Sequence, residues 1–317
     1  MRDEIGGFFE LELLNGQEYH SNAIKLNKAR SALYYFIKAN KVSKIYLPYY
    51  MCECILEPIL SLGIEYEMYR IDREMQPIFN GELYSDHYLL YINYFGLNTN
   101  NVYKLVTKYK NIIIDNTQAF FDFPIKDIPT IYSPRKFFGV PDGAYLYHSN
   151  QLEENINTSV SFDKVNFLTK RIDVSAEKSY ELFQENERIL TSEGLSEMSR
   201  LTKRLLSSID YDRAREARNI NFLYLHKKIG KYNQLKIDTS ALNGPMVYPF
   251  LFPGENIKEV LIKNKIYIPT YWKEILQVTD ENWYENYLSR KLVSIPIDQR
   301  YGIQDMNRIL NVLNSLI

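Results

Sequence analysis

An alternation between Ala29 and about Ile131 limits the fold of this chain more than anything else in it. Short apolar runs rich in β-branched and aromatic residues take turns there with amphipathic stretches of helical period. That rhythm is the signature of a mostly parallel sheet with helices on its faces. Strands are predicted over residues 44–47, 65–69, 87–92 and 111–115, and helices over 31–39, 54–62 and 101–109. Two further short strands, 130–133 and 144–147, flank a segment holding Pro134, Gly139, Pro141 and Gly143, which reads as a loop bearing basic residues. From about 153 to 231 the chain turns polar and reads as linked helices. Beyond 234, strands at 246–251 and 292–296 mix with helices at 256–264 and 303–316. The expected organisation is a large α/β domain over residues 1–230, its helical segment starting near 153, and a small C-terminal α+β domain over 231–317.

With 317 residues, the chain buries about three quarters of its unfolded surface and needs no disulfide or metal to hold a core. Its 38 basic and 39 acidic residues leave a formal net charge of -1 and no field for nucleic acid or an anionic membrane. No run approaches the roughly 18–20 apolar residues of a membrane-spanning helix, and the start Met1-Arg2-Asp3-Glu4-Ile5 carries acids where an export signal has bases. Two cysteines, Cys52 and Cys54, stand too close for an ordinary structural disulfide and too few for a zinc site. A soluble protein of the reducing cytoplasm without a metal is expected.

In open parallel sheets, ligands sit where the strands end at their carboxyl side. After one strand comes Asp115-Asn116-Thr117-Gln118-Ala119; after the next comes Ser133-Pro134-Arg135-Lys136-Phe137-Phe138-Gly139-Val140-Pro141-Asp142-Gly143. Pyridoxal phosphate needs a lysine for its aldehyde and a carboxylate to keep its ring nitrogen protonated. Asp115 and Lys136 supply both. Read singly, Asp115 is a turn cap and Lys136 a solvated loop lysine.

These segments, with Ala29-Arg30-Ser31-Ala32-Leu33, Leu47-Pro48-Tyr49-Tyr50-Met51-Cys52 and Asn93-Tyr94-Phe95-Gly96, resemble the DegT/DnrJ/StrS family of sugar aminotransferases through most of the chain. The resemblance implies the pyridoxal-phosphate-dependent transferase fold of type I. It also implies that Lys136 binds the cofactor aldehyde and then moves a proton, which its amine can do only in the deprotonated form that aldimine formation and a buried site both favour. Asp115 is then the partner of the pyridinium nitrogen and Gln118 that of the phenolic oxygen. Ala29, Arg30 and Ser31 open a helix whose free amides suit a phosphate; the plainer alternative is a serine cap beside a surface arginine. Ser133 is a second phosphate candidate, although relatives place their serine five residues before the lysine rather than three. Cys52 or Tyr50 takes the position over the cofactor face, or both merely pack at the next helix. Asn93 and Tyr94 lie in the loop beneath the substrate, Gly96 allowing a close backbone approach, and Arg135 or Arg200 meets a nucleotide diphosphate. Asn186, with Asn221 behind it, is the candidate for the asparagine that relatives reach across from a partner subunit.

The implied reaction moves an amino group from an amino acid, by family habit glutamate, through pyridoxamine phosphate to a nucleotide-linked keto-sugar, in surface polysaccharide or glycan precursor synthesis by a homodimer. Two other readings stay open: a different pyridoxal enzyme, a lyase or dehydratase, and an inactive descendant that binds a sugar or a protein. The chain departs from the family in lacking the Gly-Thr turn before the first helix, where Ala29-Arg30-Ser31 stands instead.

Overall fold

The computed structural model describes residues 5–317, so the reading of Met1 to Glu4 lies outside the described residues. The first part runs β1 (Ile24–Leu26), α1 (Ala29–Asn40), β2 (Lys44–Pro48), α2 (Leu56–Leu62), β3 (Glu65–Ile71), β4 (Pro77–Ile78), β5 (His87–Ile92), α3 (Thr99–Lys108), β6 (Ile112–Asp115), β7 (Thr130–Tyr132) and β8 (Ala144–Tyr147). Four helices follow: α4 (Asn166–Asp173), α5 (Ala176–Ser192), α6 (Arg200–Ser207) and α7 (Tyr211–Ile229). The chain closes with β9 (Tyr248–Leu251), α8 (Ile257–Lys263), α9 (Tyr284–Lys291), β10 (Leu292–Ile295) and α10 (Ile303–Leu313).

The first eight strands form one sheet in the order β1-β8-β7-β6-β5-β2-β3-β4. Its centre, β3 through β2, β5 and β6 to β7, is parallel; β1, β8 and β4 add antiparallel edges. Ile112, Ile113 and Ile114 of β6 are all buried, as expected of a strand covered on both faces. Each such side chain contributes roughly 1.5–3 kcal/mol relative to an exposed one. Register places Asp115 beside Ile92 of β5 and Ile131 of β7, so the three parallel strands deliver Asn93, Asn116 and Tyr132 to one edge.

The expected mostly parallel sheet is present, and the differences from the sequence reading are local. β1 and β4 were not predicted: they are short edge strands, too brief to show a period of two. Helix α9 was not predicted either, because aromatic and asparagine residues in Tyr284–Lys291 blur its apolar face. The start of α2 is a 3₁₀ turn over Glu53–Ile55, and Gly63, at φ 64°, ends the helix in the left-handed conformation that glycine adopts without penalty.

Two clusters of buried side chains divide the interior. One surrounds the sheet; the other joins Tyr248 and Phe250 of β9, Val293 and Ile295 of β10 and Met306 of α10. Helix α7 serves both, Ala214 packing in the first and Phe222, Leu225 and Ile229 in the second. The composition change near 231 falls at the end of that helix. Among the described residues, no helix is long and apolar enough to cross a membrane.

Candidate active site

The acid, the amide and the lysine singled out in the sequence meet at the carboxyl ends of β6 and β7. Asp115, buried, closes β6 and accepts the backbone N–H of Thr117 on Oδ1 at 2.8 Å. Thr117, also buried, accepts from Lys136 Nζ on its hydroxyl at 3.0 Å. Lys136 sits in a 3₁₀ turn, Pro134–Lys136, that Ser133 introduces. Thr117 was missed as a site residue, although it lies inside the Asp115-to-Ala119 run; a threonine carries no titratable signal, and only the fold reveals that it anchors the lysine.

Gln118 is held beside them. Its Oε1 accepts the backbone N–H of Phe95 at 2.7 Å, while its buried Nε2 has no partner among the described residues. Phe95 and Gly96 both have positive φ, 61° and 72°, and a Cβ at Gly96 would stand 2.9 Å from Gln118 O. Glycine is therefore required for the two strand-end loops to touch.

Helix α1 starts alongside the lysine loop, since Gly143 N donates to Asn27 O at 2.6 Å. Its N-cap residue is Lys28, which offers no side-chain acceptor, so no side chain caps the first amides. Ser31 Oγ is buried there and has no partner among the described residues. Lys28 is itself buried, and burial lowers its pKa. It nonetheless makes a poor cofactor lysine, because it donates to Leu190 O, Glu193 O and Glu57 Oε1, using all three protons.

Several expectations need correction. Lys136 is exposed rather than buried, because the loop that carries it lies at the protein surface of a single chain. Tyr94 is fully enclosed and gives its hydroxyl to Tyr50 O at 2.9 Å, and Asn93 spends its amide on Asp122 and Thr99 and its Oδ1 on Asn98 N. Both spend these polar atoms on partners within the chain. Tyr50 is sealed in the core, edge-on to Trp272 at 4.5 Å, and burial raises its pKa well above the usual value. Arg30 pairs with Glu57, and Arg135 with Glu187 of α5. Asn186 is buried in its own chain, donating to Pro141 O at 3.0 Å, and so cannot reach across to a partner. Asn221 likewise holds Ile297 O and Tyr301 O, whereas Arg200 is exposed at the start of α6. Ser133 is buried, and its carbonyl receives Lys136 N–H at 3.4 Å. Cys52, half-buried, lies near enough to Lys136 and Arg30 to feel both charges.

Arg218, which the sequence did not single out, is a fully buried guanidinium on α7. It donates to Gln299 Oε1, Pro245 O, Met246 O and Phe137 O at 3.0–3.3 Å, and burial pushes its pKa down to about 10. An open groove between α8 and α10, lined by Val260, Asn264, Asn307, Arg308 and Asn311, holds no acid, thiol or histidine, and we place no chemistry there.

No family model matches this sequence, and no curated protein matches it. Solved structures do. A DegT DnrJ EryC1 StrS aminotransferase from Brucella abortus superposes with a TM-score of 0.60 at 13% identity, over 92% of this chain and 85% of that one. The PLP form of Spr1654, a putative sugar aminotransferase from Streptococcus pneumoniae, gives 0.60 at 12%, over 92% and 86%. DesI, solved in the presence of its TDP-sugar product, gives 0.64 at 11%, over 92% and 80%. The chain therefore shares the fold of these solved aminotransferases.

Proposed function

We propose that this protein is a pyridoxal-phosphate-dependent aminotransferase that moves an amino group from an amino acid to a keto-sugar. One observation carries the reading: Asp115, Thr117, Gln118 and Lys136 converge at adjacent strand ends on a fold shared with sugar aminotransferases. The residues fit the cofactor. Gln118 Nε2 and Ser31 Oγ are buried polar atoms without partners among the described residues, which a bound group would satisfy, and the uncapped start of α1 suits a phosphate.

In this reading Asp115 holds the protonated ring nitrogen, Gln118 donates to the phenolic oxygen, and Ala29, Arg30 and Ser31 offer amides and a hydroxyl to the phosphate, with Ser133 beside them. Lys136 is the amine that binds the aldehyde and then carries a proton to and from the substrate carbon. Thr117 fixes where its Nζ points. When bound, pyridoxal phosphate would supply an aldehyde and an electron-withdrawing ring able to carry an amino group.

We assign residues up to about 230 to cofactor binding and the remainder to a smaller unit. The keto-sugar is taken to be nucleotide-linked, as the presence of a TDP-sugar with DesI supports, and destined for a surface polysaccharide or glycan precursor, with glutamate as donor. A cytoplasmic homodimer completes the proposal. In its favour, Phe8, Phe9 and Leu14 of the N-terminal arm and Phe162, Ile172 and Val174 near α4 are exposed apolar side chains, which a second copy would cover together with the open lysine.

The test is the near-ultraviolet and visible spectrum of the protein with pyridoxal phosphate, before and after borohydride and with Lys136→Ala. A reducible band that vanishes in the variant is expected, followed by turnover of keto-sugar nucleotides with glutamate. Identical spectra from the two proteins would overturn the enzyme reading.

A further inference from the structure

The proposed reaction leaves the chain's two cysteines without a role. Cys52 is the extended residue before the 3₁₀ turn Glu53–Ile55, and Cys54 lies inside that turn, which folds the two side chains together. Their sulfurs are 2.7 Å apart, Cys52 half-buried and Cys54 exposed. Among the described residues, no third metal-binding side chain joins them, so thiol chemistry rather than metal binding fits the pair.

The two thiols are also unlike each other. The hydrogen bond with Cys54 holds the Cys52 thiol below the usual thiol range, with the charges of Lys136 and Arg30 adding to the effect. The same contact pushes Cys54 up. A thiolate next to a protonated thiol is the arrangement of an attacking and a resolving cysteine.

We propose that Cys52 and Cys54 form a hydroperoxide-driven, reversible disulfide at the edge of the Lys136 centre. The Cys52 thiolate attacks one peroxide oxygen; the O–O bond breaks, hydroxide leaves and takes a proton from solvent, and Cys52 becomes a sulfenic acid. Cys54 sulfur then attacks Cys52 sulfur, the S–O bond breaks, and water departs with the Cys54 proton. In sum, two thiols and one hydrogen peroxide give one disulfide and two waters, sulfur being oxidised and peroxide oxygen reduced. Exposure of Cys54 leaves the bond open to thiol reductants, as befits a labile rather than a structural disulfide. That oxidation also alters catalysis, by removing a thiolate that feels the Lys136 charge, rests on the aminotransferase reading; the disulfide itself does not.

The experiment exposes the purified full chain, without added cofactor, to hydrogen peroxide, then counts alkylatable thiols and maps peptides by mass spectrometry. The expected result is joint loss of both thiols as one intramolecular disulfide, restored by dithiothreitol, with a rate that rises with pH as the Cys52 thiolate forms below the range of an ordinary thiol. Cys54→Ser should stop at a dimedone-reactive Cys52, and Cys52→Ser should leave Cys54 alkylatable. In Lys136→Ala the disulfide should still form, several-fold more slowly, whether or not the protein binds pyridoxal phosphate. Two thiols surviving peroxide, disulfides only between chains, or equal reactivity of the two single variants would each overturn the proposal.

Discussion

Arg218 grips Phe137 twice: its guanidinium lies 4.5 Å over the ring and donates to the carbonyl of the same residue at 3.3 Å. Phe137 directly follows Lys136, and two other acceptors of Arg218, Pro245 O and Met246 O, lead into β9. The arginine thus ties the lysine loop to the second core. Arg218→Ala leaves buried carbonyls unpaired and should cost at least about 3 kcal/mol. Arg218→Lys, a point charge without the planar fork, should lose a smaller part. Denaturant unfolding measures both, and a stability equal to wild type in the alanine variant would contradict the tie.

Gln118 allows stability and cofactor affinity to be separated. Gln118→Glu keeps an acceptor for Phe95 N–H but loses the Nε2 donor, so folding should hold while pyridoxal phosphate binds at least about tenfold more weakly, the equivalent of about 1.4 kcal/mol. Gln118→Leu strands the Phe95 N–H and should cost a further 1–3 kcal/mol or so in stability. Absorbance titration with the cofactor, run beside urea unfolding, distinguishes the two effects.

Thr117→Val removes the acceptor that orients Lys136 Nζ and adds no bulk. Turnover should fall about tenfold or more while the thermal midpoint moves little, and Thr117→Ser should restore most of the rate. An unchanged rate in the valine variant would show that the lysine is positioned by other means.

His20 predicts a pH dependence. It is fully buried between Phe120 O and the Tyr147 hydroxyl, and burial lowers its pKa from 6.5 to about 4. The unfolded chain binds this proton more readily than the folded one, so stability is complete above about 6.5 and is lost as the pH falls through about 4, by roughly 3 kcal/mol in all. His20→Gln should flatten that slope between pH 6.5 and 4 in thermal scans.

Much of the sheet could be read from sequence because its strands are buried on both faces and announce themselves as apolar runs; residues 87–92 and 144–147 were bounded correctly. The edge pieces β1 and β4 escaped because two or three residues carry no period. The residues grouped around Lys136 were legible as a motif, since Asp115, Gln118 and Lys136 are chemically distinctive types at strand ends. What sequence could not show is which polar groups spend their hydrogen bonds internally. Asn93, Asn186 and Arg135 look like ligand residues until Asp122, Pro141 and Glu187 are seen to occupy them. Such partners are distant in sequence, and pairing depends on how the helices settle on the sheet.

Helix α7 belongs to two interiors at once, with Ala214 in one and Phe222 in the other. Fraying that helix from either end uncovers apolar surface in the core it serves and unseats Arg218 at its middle. Calorimetry should accordingly record a single endotherm for the whole chain, with the van't Hoff and calorimetric enthalpies equal, and truncation within α7 should yield two insoluble fragments in place of two autonomous halves.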